Sequence, residues 1–364
     1  MNSAVDRSLV LDADGVCQHC RRYDDLFATR VVRGEAGRQK LAALVEQIKA
    51  AGRGKPYDCI IGVSGGVDST YVAYLAKKHG LRPLAVHLDN GWNSELAVKN
   101  IERVLSRLGI DLFTYVIDWE EFRDLQISFL KASTPDGEIP SDHAIFALLW
   151  QQAAQRGIRY IISGMNFTTE SIQVPDWAYG HSDWRYIRDV HRRFGTRKLK
   201  TFPHFSLAYL LYINAIKRVR TVSILNYVDY EKAEAMRVLT DELGWQYYGG
   251  KHHESVYTRF YQGYFLPRKF GIDKRYGHLS DLINAGQITR GDAVEEVKKP
   301  PYPETEQIAD LEYVSKKLGL RNGAFDDIMN LPRKTFRDYR NSADMVFRLK
   351  KIVNALRGRG WYPR

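Results

Sequence analysis

The chain has 364 residues, 44% of them hydrophobic and 27% charged, proportions that are typical of a folded protein and exclude wholesale disorder. This length predicts two domains, or one large α/β domain with an appendage. Lysine and arginine outnumber aspartate and glutamate by 54 to 43, and the resulting charge of +11 favours polyanionic partners such as nucleotides, nucleic acid or anionic lipid.

Three features of the sequence bear on the compartment. No uncharged apolar run approaches the roughly 20 residues that a membrane helix needs. The N-terminal residues lack the basic start and long apolar core of a secretory signal. Three cysteines do not make a disulfide framework. We therefore expect a cytoplasmic protein without a membrane span.

The first fifty residues contain the motif Cys17-Gln18-His19-Cys20 and, over 35–51, apolar residues at helical spacing. A polar stretch marked by glycine and proline then leads to an apolar run over 59–63, which predicts a buried strand.

Predicted strands and helices alternate from residue 59 onward. Strands are predicted over 59–63, 84–88, 112–117 and 160–162, and helices over 70–79, 96–108, 119–132 and 141–156. Such alternation with short connections predicts an α/β fold whose doubly wound parallel sheet is covered on both faces. Ligands of such sheets bind at the carboxyl ends of the strands, where this sequence has its Gly-, Asp- and Asn-rich loops.

The alternation is lost after about residue 170. An aromatic and basic region follows, with a predicted helix over 231–243, and a proline-rich stretch over 298–303 predicts a linker before two further helical runs. The basic tail is typical of a solvated amphipathic helix. We predict an N-terminal segment (1–50), a nucleotide-binding α/β domain (51–175), an acceptor-substrate region (176–300) and a helical basic region (301–364).

The loop Ser64-Gly65-Gly66-Val67-Asp68-Ser69, between a predicted strand and a predicted helix, is the sharpest chemical signal. Its glycines allow a tight turn and close approach of a ligand, and its N–H groups with the helix start form an anion-binding nest. Asp68 suits this loop if Mg²⁺ lies between its carboxylate and a phosphate. The loop matches neither the Walker pattern nor the dinucleotide-binding pattern.

This loop resembles the pyrophosphate-binding loop of the PP-loop (N-type) ATP pyrophosphatases, a superfamily that includes NAD synthetase, GMP synthetase and tRNA-modifying enzymes. The resemblance implies a mainly helical C-terminal part behind the sheet, ATP and Mg²⁺ as cofactors, and adenylation of an acceptor oxygen with release of pyrophosphate. It implies nucleotide contacts for residues of this loop, of the second strand end and of a later glycine turn: Ser64, Gly65, Gly66, Asp68, Ser69, His87, Leu88, Asp89 and Gly164.

The cysteines limit the choice of nucleophile. Cys59 lies in a predicted buried strand, and position 2 is Asn2 rather than cysteine, so we expect no glutaminase activity in this chain. Ammonia would come from a partner or from solution. Cys17 and Cys20 are candidates for a zinc half-site or a redox pair, although a tetrahedral zinc site requires four ligands.

Longer segments resemble a particular family. The stretches VHLDNGWNSELAVKNIERVLSRLGIDL, DHAIFALLW, DWRYIRDVHRRFG and KHHESVYTRFYQGYFLPRKFGIDKR are similar, in order, to bacterial N-acetyl sugar amidotransferases of surface-polysaccharide (LPS O-antigen) biosynthesis. The resemblance implies conversion of a sugar acetamido group to an acetamidino group. It also implies partners that resemble the glutaminase and cyclase subunits of imidazole glycerol phosphate synthase. Relatives often carry an earlier cysteine pair that this sequence lacks, which weakens the case for structural zinc.

Basic and acidic residues of the second half supply further candidates. Arg185, Arg188 and Arg192 fall at helical spacing and suit a sugar-nucleotide diphosphate or a uronate carboxylate, or else form a solvated helix face. From the resemblance and chemical type, Lys251 or Arg259 would stabilise charge on the α-phosphate, and Glu254 or a histidine would accept a proton from incoming ammonium.

Two alternatives stay open. A PP-loop tRNA-modifying enzyme, lysidine-forming or thiolating, would fit the basic charge, but no RNA-binding module is recognisable, and we expect no nucleic-acid partner. A degenerate PP-loop scaffold is less consistent with the intact loop over 64–69.

Overall fold

The computed structural model describes residues 1–3, 5–172, 174–250, 253–321 and 323–348. Its centre is a sheet of five strands: β1 (Cys59–Gly62), β2 (Pro83–Asp89), β3 (Asp111–Val116), β4 (Tyr160–Ile162) and β5 (Arg220–Val222). Their order in the sheet is β3-β2-β1-β4-β5, with every pair of neighbours parallel. The predicted doubly wound parallel α/β fold is confirmed.

Helices alternate with the strands and then continue as a mainly helical C-terminal part. Those of the sheet region are α1 (Gln18–Arg30), α2 (Gly34–Ala51), α3 (Val67–Lys78), α4 (Glu95–Leu108), α5 (Trp119–Ala132), α6 (Ile139–Gln155), α7 (Phe167–Glu170), α8 (Trp184–Phe194), α9 (Leu207–Leu211) and α10 (Lys232–Leu243). The later ones are α11 (Val256–Phe260), α12 (Leu266–Phe270), α13 (Arg275–Asn284), α14 (Arg290–Lys298), α15 (Glu304–Leu318) and α16 (Ala324–Asn330). A π-helical turn, Tyr261–Phe265, joins α11 to α12 in one continuous helix. None of the described helices combines the length and apolar composition that a bilayer crossing requires.

Two hydrophobic cores cover the two faces of the sheet, and β1 contributes to both. Ile60 packs in one core with residues of α5, α6 and α8. Cys59 and Ile61 point to the other face and pack with residues of α2, α3, α4 and α10. This alternation follows from the period of two in a strand, and burial on both faces explains why β1 is an uninterrupted apolar run.

The strand order places a topological switch point next to β1. The chain moves from β1 to β2 and β3 on one side of the sheet, and then crosses to β4 and β5 on the other side. At such a point the connections leave the sheet in opposite directions and open a crevice beyond the carboxyl ends of the strands. The loops that follow β1 and β4 line this crevice.

The fifth strand lies outside the sequence-based prediction. Arg220–Val222 pairs with β4 at the sheet edge, and α10 packs against α3. A three-residue, partly exposed strand has no periodicity that single-sequence reasoning can detect. The sheet therefore extends beyond residue 175, into the region predicted to bind the acceptor. The end of the predicted basic tail lies outside the described residues.

Candidate functional site

The loop that leaves β1 turns sharply into α3. Gly66 is the N-cap of α3, and Gly65 adopts a left-handed conformation with φ of 81°. A Cβ atom on Gly65 would lie 2.7 Å from the carbonyl oxygen of Ala97, which belongs to the first turn of α4. Both the backbone conformation and the space available therefore require glycine at this position.

Serine hydroxyls hold the loop in shape. Ser69 Oγ donates to the carbonyl oxygen of Gly66 at 3.2 Å, and the Gly66 N–H donates to Ser64 Oγ at 3.3 Å. The first N–H groups of a helix have no carbonyl acceptor within the helix, and the helix dipole adds positive potential there. The loop and the start of α3 therefore form an anion-binding cradle.

A buried tryptophan fixes the carbonyl side of the loop. Trp245 Nε1 donates to the carbonyl oxygen of Gly65 at 2.9 Å, and the Trp245 side chain is fully buried. Gly244, the left-handed C-cap of α10, turns the chain so that Trp245 reaches the loop. Trp245 is thus a positioning residue that sequence reasoning missed, because 180 residues separate the two partners.

We expect Trp245→Phe to weaken ATP binding by about tenfold and to lower the free energy of unfolding by about 1–3 kcal/mol, because the Gly65 carbonyl loses its buried donor. ATP titration and denaturant unfolding measure the two effects. Trp150→Phe is the control, since Trp150 packs against Phe205 rather than against the loop. Unchanged ATP affinity in Trp245→Phe would show that the loop does not depend on this bond.

A cavity of about 170 Å³ opens over the loop. Its lining comes from both sides of the switch point and from the later part of the chain: Ser64, Gly66, Val67, Asp68, Ser69, Gly164, Glu170, Lys232, Tyr248 and Glu254. The cradle and Lys232 suit phosphate oxygens, whereas three of the lining side chains are carboxylates. The site therefore combines phosphate-binding groups with groups that would repel phosphate.

A divalent cation bound between the carboxylates and the phosphates would remove this repulsion. Mg²⁺ is usually held by one or two carboxylates together with substrate phosphates. Asp68, Glu170 and Glu254 line the same cavity and supply oxygen ligands of this type. No cluster of three or more metal-ligating side chains is found in the described part of the chain, so a protein-only cation site is not formed there. The residues present thus fit a cation that arrives with the nucleotide.

Tyr230 holds the Asp68 carboxylate in place. Its hydroxyl, on a side chain that is almost fully buried, donates to Asp68 Oδ1. Burial, followed by the neighbouring charge of Asp68, raises the pKa of Tyr230 far above its usual range. The phenol therefore stays protonated and remains a donor to the carboxylate.

Backbone pairing brings Glu254 to the cavity. Asn93 and Ser255 form an isolated antiparallel bridge. The Ser94 N–H donates to the Glu254 carbonyl at 2.8 Å, and the Val256 N–H donates to the Trp92 carbonyl at 2.9 Å. The segment that begins α11 is thereby pinned beside the loop that follows β2.

The residues predicted at the later strand ends differ in their relation to the cavity over the loop. Gly164 lines this cavity, whereas His87, Leu88 and Asp89 do not. Gly164 packs directly on the start of α3, where a Cβ atom would lie 3.0 Å from the Ser69 nitrogen. Leu88 and Asp89 end β2 beyond the last β2 residue that pairs with β1, and Asp89 Oδ1 accepts from the Gly91 N–H. His87 is buried between the Val63 carbonyl and the Asn93 amide, at 2.8 and 3.1 Å. Because both ring nitrogens have protein partners, His87 connects strand ends rather than presenting a free nitrogen to a nucleotide.

The structure places Arg259 away from the cavity over the loop. Its guanidinium makes two hydrogen bonds to Asp310 on α15, at 2.8 and 2.7 Å, and a third to Glu306 at 3.3 Å. These bonds hold α11 against α15, and Arg259 does not line the cavity over the loop. An arginine engaged with two carboxylates ties these helices together, and its role at the α-phosphate stays a prediction.

The arginines predicted to bind substrate lie on the exposed face of α8 and do not line the cavity over the loop. Arg192 is additionally paired with Asp189 at 3.1 Å. Arg185 and Arg188 thus remain candidates without a site around them. Lys251, the other predicted catalytic cation, lies outside the described residues.

The zinc prediction finds no support. Cys17 Sγ and Cys20 Sγ lie 3.5 Å apart, while His19 Nε2 contacts Asp6 Oδ2 at 2.6 Å. Burial raises the pKa of Cys20 to about 11, so the thiol is protonated at neutral pH. No third or fourth ligand accompanies the two thiols within the described residues, and a tetrahedral zinc site requires four.

Comparisons with known proteins agree with this geometry. Residues 39–129 match the NAD synthase family model, and this range contains β1, the loop, α3 and β2. This match agrees with the parallel sheet and with the loop between β1 and α3, which have the arrangement of a PP-loop, NAD synthase-like fold. Residues 254–355 match the model for the C-terminal domain of WbpG-like LPS biosynthesis proteins. One segment of the chain is thus similar to NAD synthase, and a later segment is similar to the C-terminal domain of WbpG-like proteins.

Curated relatives resemble parts of the chain. A tRNA(Ile)-lysidine synthase from Chlamydia pneumoniae is 37% identical over 67 residues, which cover 18% of this chain and 21% of the relative. A tRNA-specific 2-thiouridylase, MnmA, from Clostridioides difficile is 29% identical over 203 residues, covering 51% of this chain and 50% of the relative. The chain spans half or less of the length of both relatives.

Among solved structures, an NH3-dependent NAD synthetase from Campylobacter jejuni aligns over 55% of this chain and 82% of its own length. The sequence identity is 18% and the TM-score is 0.30.

Proposed function

We propose that this protein is an ATP-dependent sugar amidotransferase. It adenylates the acetamido oxygen of an N-acetylated, nucleotide-linked sugar and replaces that oxygen with ammonia, yielding an acetamidino sugar, AMP and pyrophosphate. The proposed setting is the biosynthesis of a bacterial surface polysaccharide.

One observation carries the proposal. The WbpG-like match begins at Glu254, and Glu254 itself lines the cavity over the PP-loop. The segment typical of LPS biosynthesis proteins therefore contributes a carboxylate to the place where an ATP pyrophosphatase would cleave its nucleotide. If the WbpG-like segment lay only on the protein surface, none of its residues would line this cavity.

The chemistry has two steps. The acetamido oxygen attacks the α-phosphorus, the bond between the α-phosphorus and the bridging oxygen breaks, and pyrophosphate leaves. Ammonia then adds to the activated carbon, and the carbon–oxygen bond breaks, so that AMP leaves with the former acetamido oxygen. Loss of the surplus proton completes the amidine.

The chain's residues have distinct roles in these steps. The cradle of Gly65, Gly66 and the first turn of α3 binds the departing pyrophosphate. Asp68, oriented by Tyr230, would hold the Mg²⁺ that accompanies the nucleotide. That cation, when bound, neutralises charge that develops on the leaving group. Glu254 accepts a proton from ammonium as ammonia becomes the nucleophile.

The cysteines favour an external source of ammonia. Cys59 is fully buried in β1, and burial raises its pKa far above the ordinary thiol value. Neither this thiol nor Cys17 nor Cys20 lines the PP-loop cavity. We therefore propose that a glutaminase subunit and a cyclase-like subunit, similar to those of imidazole glycerol phosphate synthase, deliver ammonia to this chain.

The deciding experiment incubates the protein with ATP, Mg²⁺, ammonium and a panel of nucleotide-linked acetamido sugars. The sugar carries heavy oxygen in its acetamido group. We expect AMP rather than ADP, heavy oxygen in the AMP, and a sugar in which NH has replaced oxygen. ADP formation, or AMP without the label, would contradict the proposal.

A tRNA-modifying activity is the second candidate, favoured by the matches to lysidine synthase and 2-thiouridylase. Thiolation fits less well because none of the three cysteines lines the cavity. Unfractionated tRNA with lysine, in place of the sugar, forms the second arm of the same assay. AMP formation only in that arm would favour the tRNA enzyme.

A further inference from the structure

A second cavity, of about 450 Å³, lies apart from the PP-loop. Five stretches of the chain, together with Tyr186 of α8, build it: 5–7, 134–136, 174–179, 270–272 and 333–337. Its volume falls within the roughly 300–1,000 Å³ of small-molecule sites, whereas the cavity over the loop is smaller than this range. None of the roles described above uses it.

Aromatic rings form part of its wall. Trp177 is almost fully buried, and Tyr179 stacks on Phe336 with ring centroids 3.8 Å apart. Tyr179 comes from the segment after β4, whereas Phe336 comes from the far C-terminal part. Flat, rigid rings of this kind suit stacking with a heterocyclic base or with the apolar face of a sugar.

Cations line the same cavity. Arg7, Arg333, Lys334 and Arg337 contribute to its lining, and no ion pair among the described residues involves any of them. This contrasts with Arg192, Arg193 and Arg259, which are all paired with carboxylates. Guanidinium groups without a protein anion suit the oxygen atoms of a diphosphate, which they bind in a fork.

A buried carboxylate adds an acceptor. Asp136 lines the cavity and is almost fully buried, and His181 Nε2 lies 3.2 Å from its Oδ2. Burial opposes ionisation of Asp136, but the neighbouring His181 outweighs it and lowers the pKa of Asp136. A carboxylate that stays ionised accepts hydrogen bonds from hydroxyl groups, such as those of a sugar.

The two cavities are close along the chain. Glu170 lines the PP-loop cavity and Val174 lines the second one. Four residues span at most about 14 Å. Ser171 and Ile172 are anchored, because the Ser171 hydroxyl and the Ile172 N–H both donate to the buried Asp281 carboxylate. One elongated ligand could therefore reach from one cavity towards the other.

We propose that the second cavity binds the nucleoside diphosphate part of the sugar nucleotide, with the aromatic wall against the base and Arg7 and Arg333 on the diphosphate. This inference rests on the proposed function, because it places the acceptor of that reaction. It replaces the exposed face of α8 as the anchoring site for the acceptor.

The test is calorimetric titration of the full chain with UDP-N-acetylglucosamine, UDP and farnesyl diphosphate, each in the presence of Mg²⁺. We expect UDP-N-acetylglucosamine and UDP to bind, and Arg7→Gln and Arg333→Gln each to weaken both by about tenfold or more. Arg53→Gln, at an exposed arginine outside both cavities, is the matched control and should retain wild-type affinity. Retained ATP affinity in every variant shows that the protein is folded.

Three results would overturn the inference. One is unchanged UDP affinity in the Arg7→Gln, Arg333→Gln double variant, and another is loss of binding only in Arg185→Gln or Arg188→Gln. The third is that farnesyl diphosphate binds while UDP does not, because the site would then recognise a lipid-linked diphosphate. The labelled-oxygen assay is independent of these titrations. AMP formation with an unaffected KM in the cavity variants would reject this site alone, while arginine-dependent UDP binding without AMP formation would reject the proposed function alone.

Discussion

Asp68→Asn should reduce the rate of pyrophosphate release by about a hundredfold or more while ATP still binds. The substitution preserves the shape of the side chain and an oxygen that accepts from Tyr230, but it removes the negative charge that would hold Mg²⁺. The loss should therefore appear in kcat rather than in ATP affinity, since the loop N–H groups still contact the phosphates. Measuring pyrophosphate and AMP under saturating ATP checks the expected loss of rate, and a separate ATP titration checks that the affinity is retained.

Tyr230→Phe is the companion to this experiment. It keeps the Asp68 charge and removes only the hydroxyl that orients it, so we expect a smaller loss, of about tenfold. The order of the two effects is informative. If Tyr230→Phe were as damaging as Asp68→Asn, orientation would dominate over charge. Undiminished pyrophosphate release in Asp68→Asn would remove Asp68 from the mechanism altogether.

Gly65→Ala should destabilise the protein by about 2–5 kcal/mol and abolish measurable ATP binding. A left-handed backbone costs a non-glycine residue roughly 1–2 kcal/mol, and overpacking adds about 1–3 kcal/mol. The overpacking arises because the new methyl group would lie 2.7 Å from the Ala97 carbonyl, a backbone atom of a helix that cannot move freely. The loop must shift to relieve this contact, and its N–H groups then no longer point at one phosphate position. Denaturant unfolding and ATP titration measure the two consequences.

Gly109→Ala provides the matched control for this substitution. Gly109 caps α4 with φ of 58°, also left-handed, but a Cβ atom there would meet nothing within 4 Å. The control should therefore lose roughly 1–2 kcal/mol of stability, from the backbone alone, and leave ATP binding intact. Equal losses of stability in the two variants would show that the approach of α4 to the loop has no energetic role.

Much of the sheet and of its nucleotide loop was predictable because both depend on neighbours in sequence. The run Cys59–Gly62 is apolar on both faces, and the glycines and serines that follow it make their own turn through bonds two to five residues apart. The predicted strands and helices up to β4 were therefore recovered within a few residues. β5 was missed because its three residues become a strand only through pairing with β4.

The partners of the loop were not predictable from sequence. Tyr230 and Trp245 act on residues 162 and 180 positions away, so no local pattern marks them. Arg259 is the reverse case. Its position beside Glu254 in a charged stretch suggested chemistry, but Asp310 and Glu306 on a distant helix satisfy its guanidinium. Residue type indicates what a side chain can do, whereas its partner decides what it does.

By itself, the sequence determined the succession of strands and helices from β1 to β4 and the position of the loop between β1 and α3, since both follow from residue type and spacing along the chain. Only the tertiary structure decided which side chains share a cavity. Hydrogen bonds and ion pairs form between atoms within a few ångströms, and the folded chain brings together the β1 loop, α10 and the start of α11, which the sequence keeps far apart. Glu254, in the turn before α11, therefore reaches the loop, while Arg259, five residues later and on α11 itself, is turned towards α15.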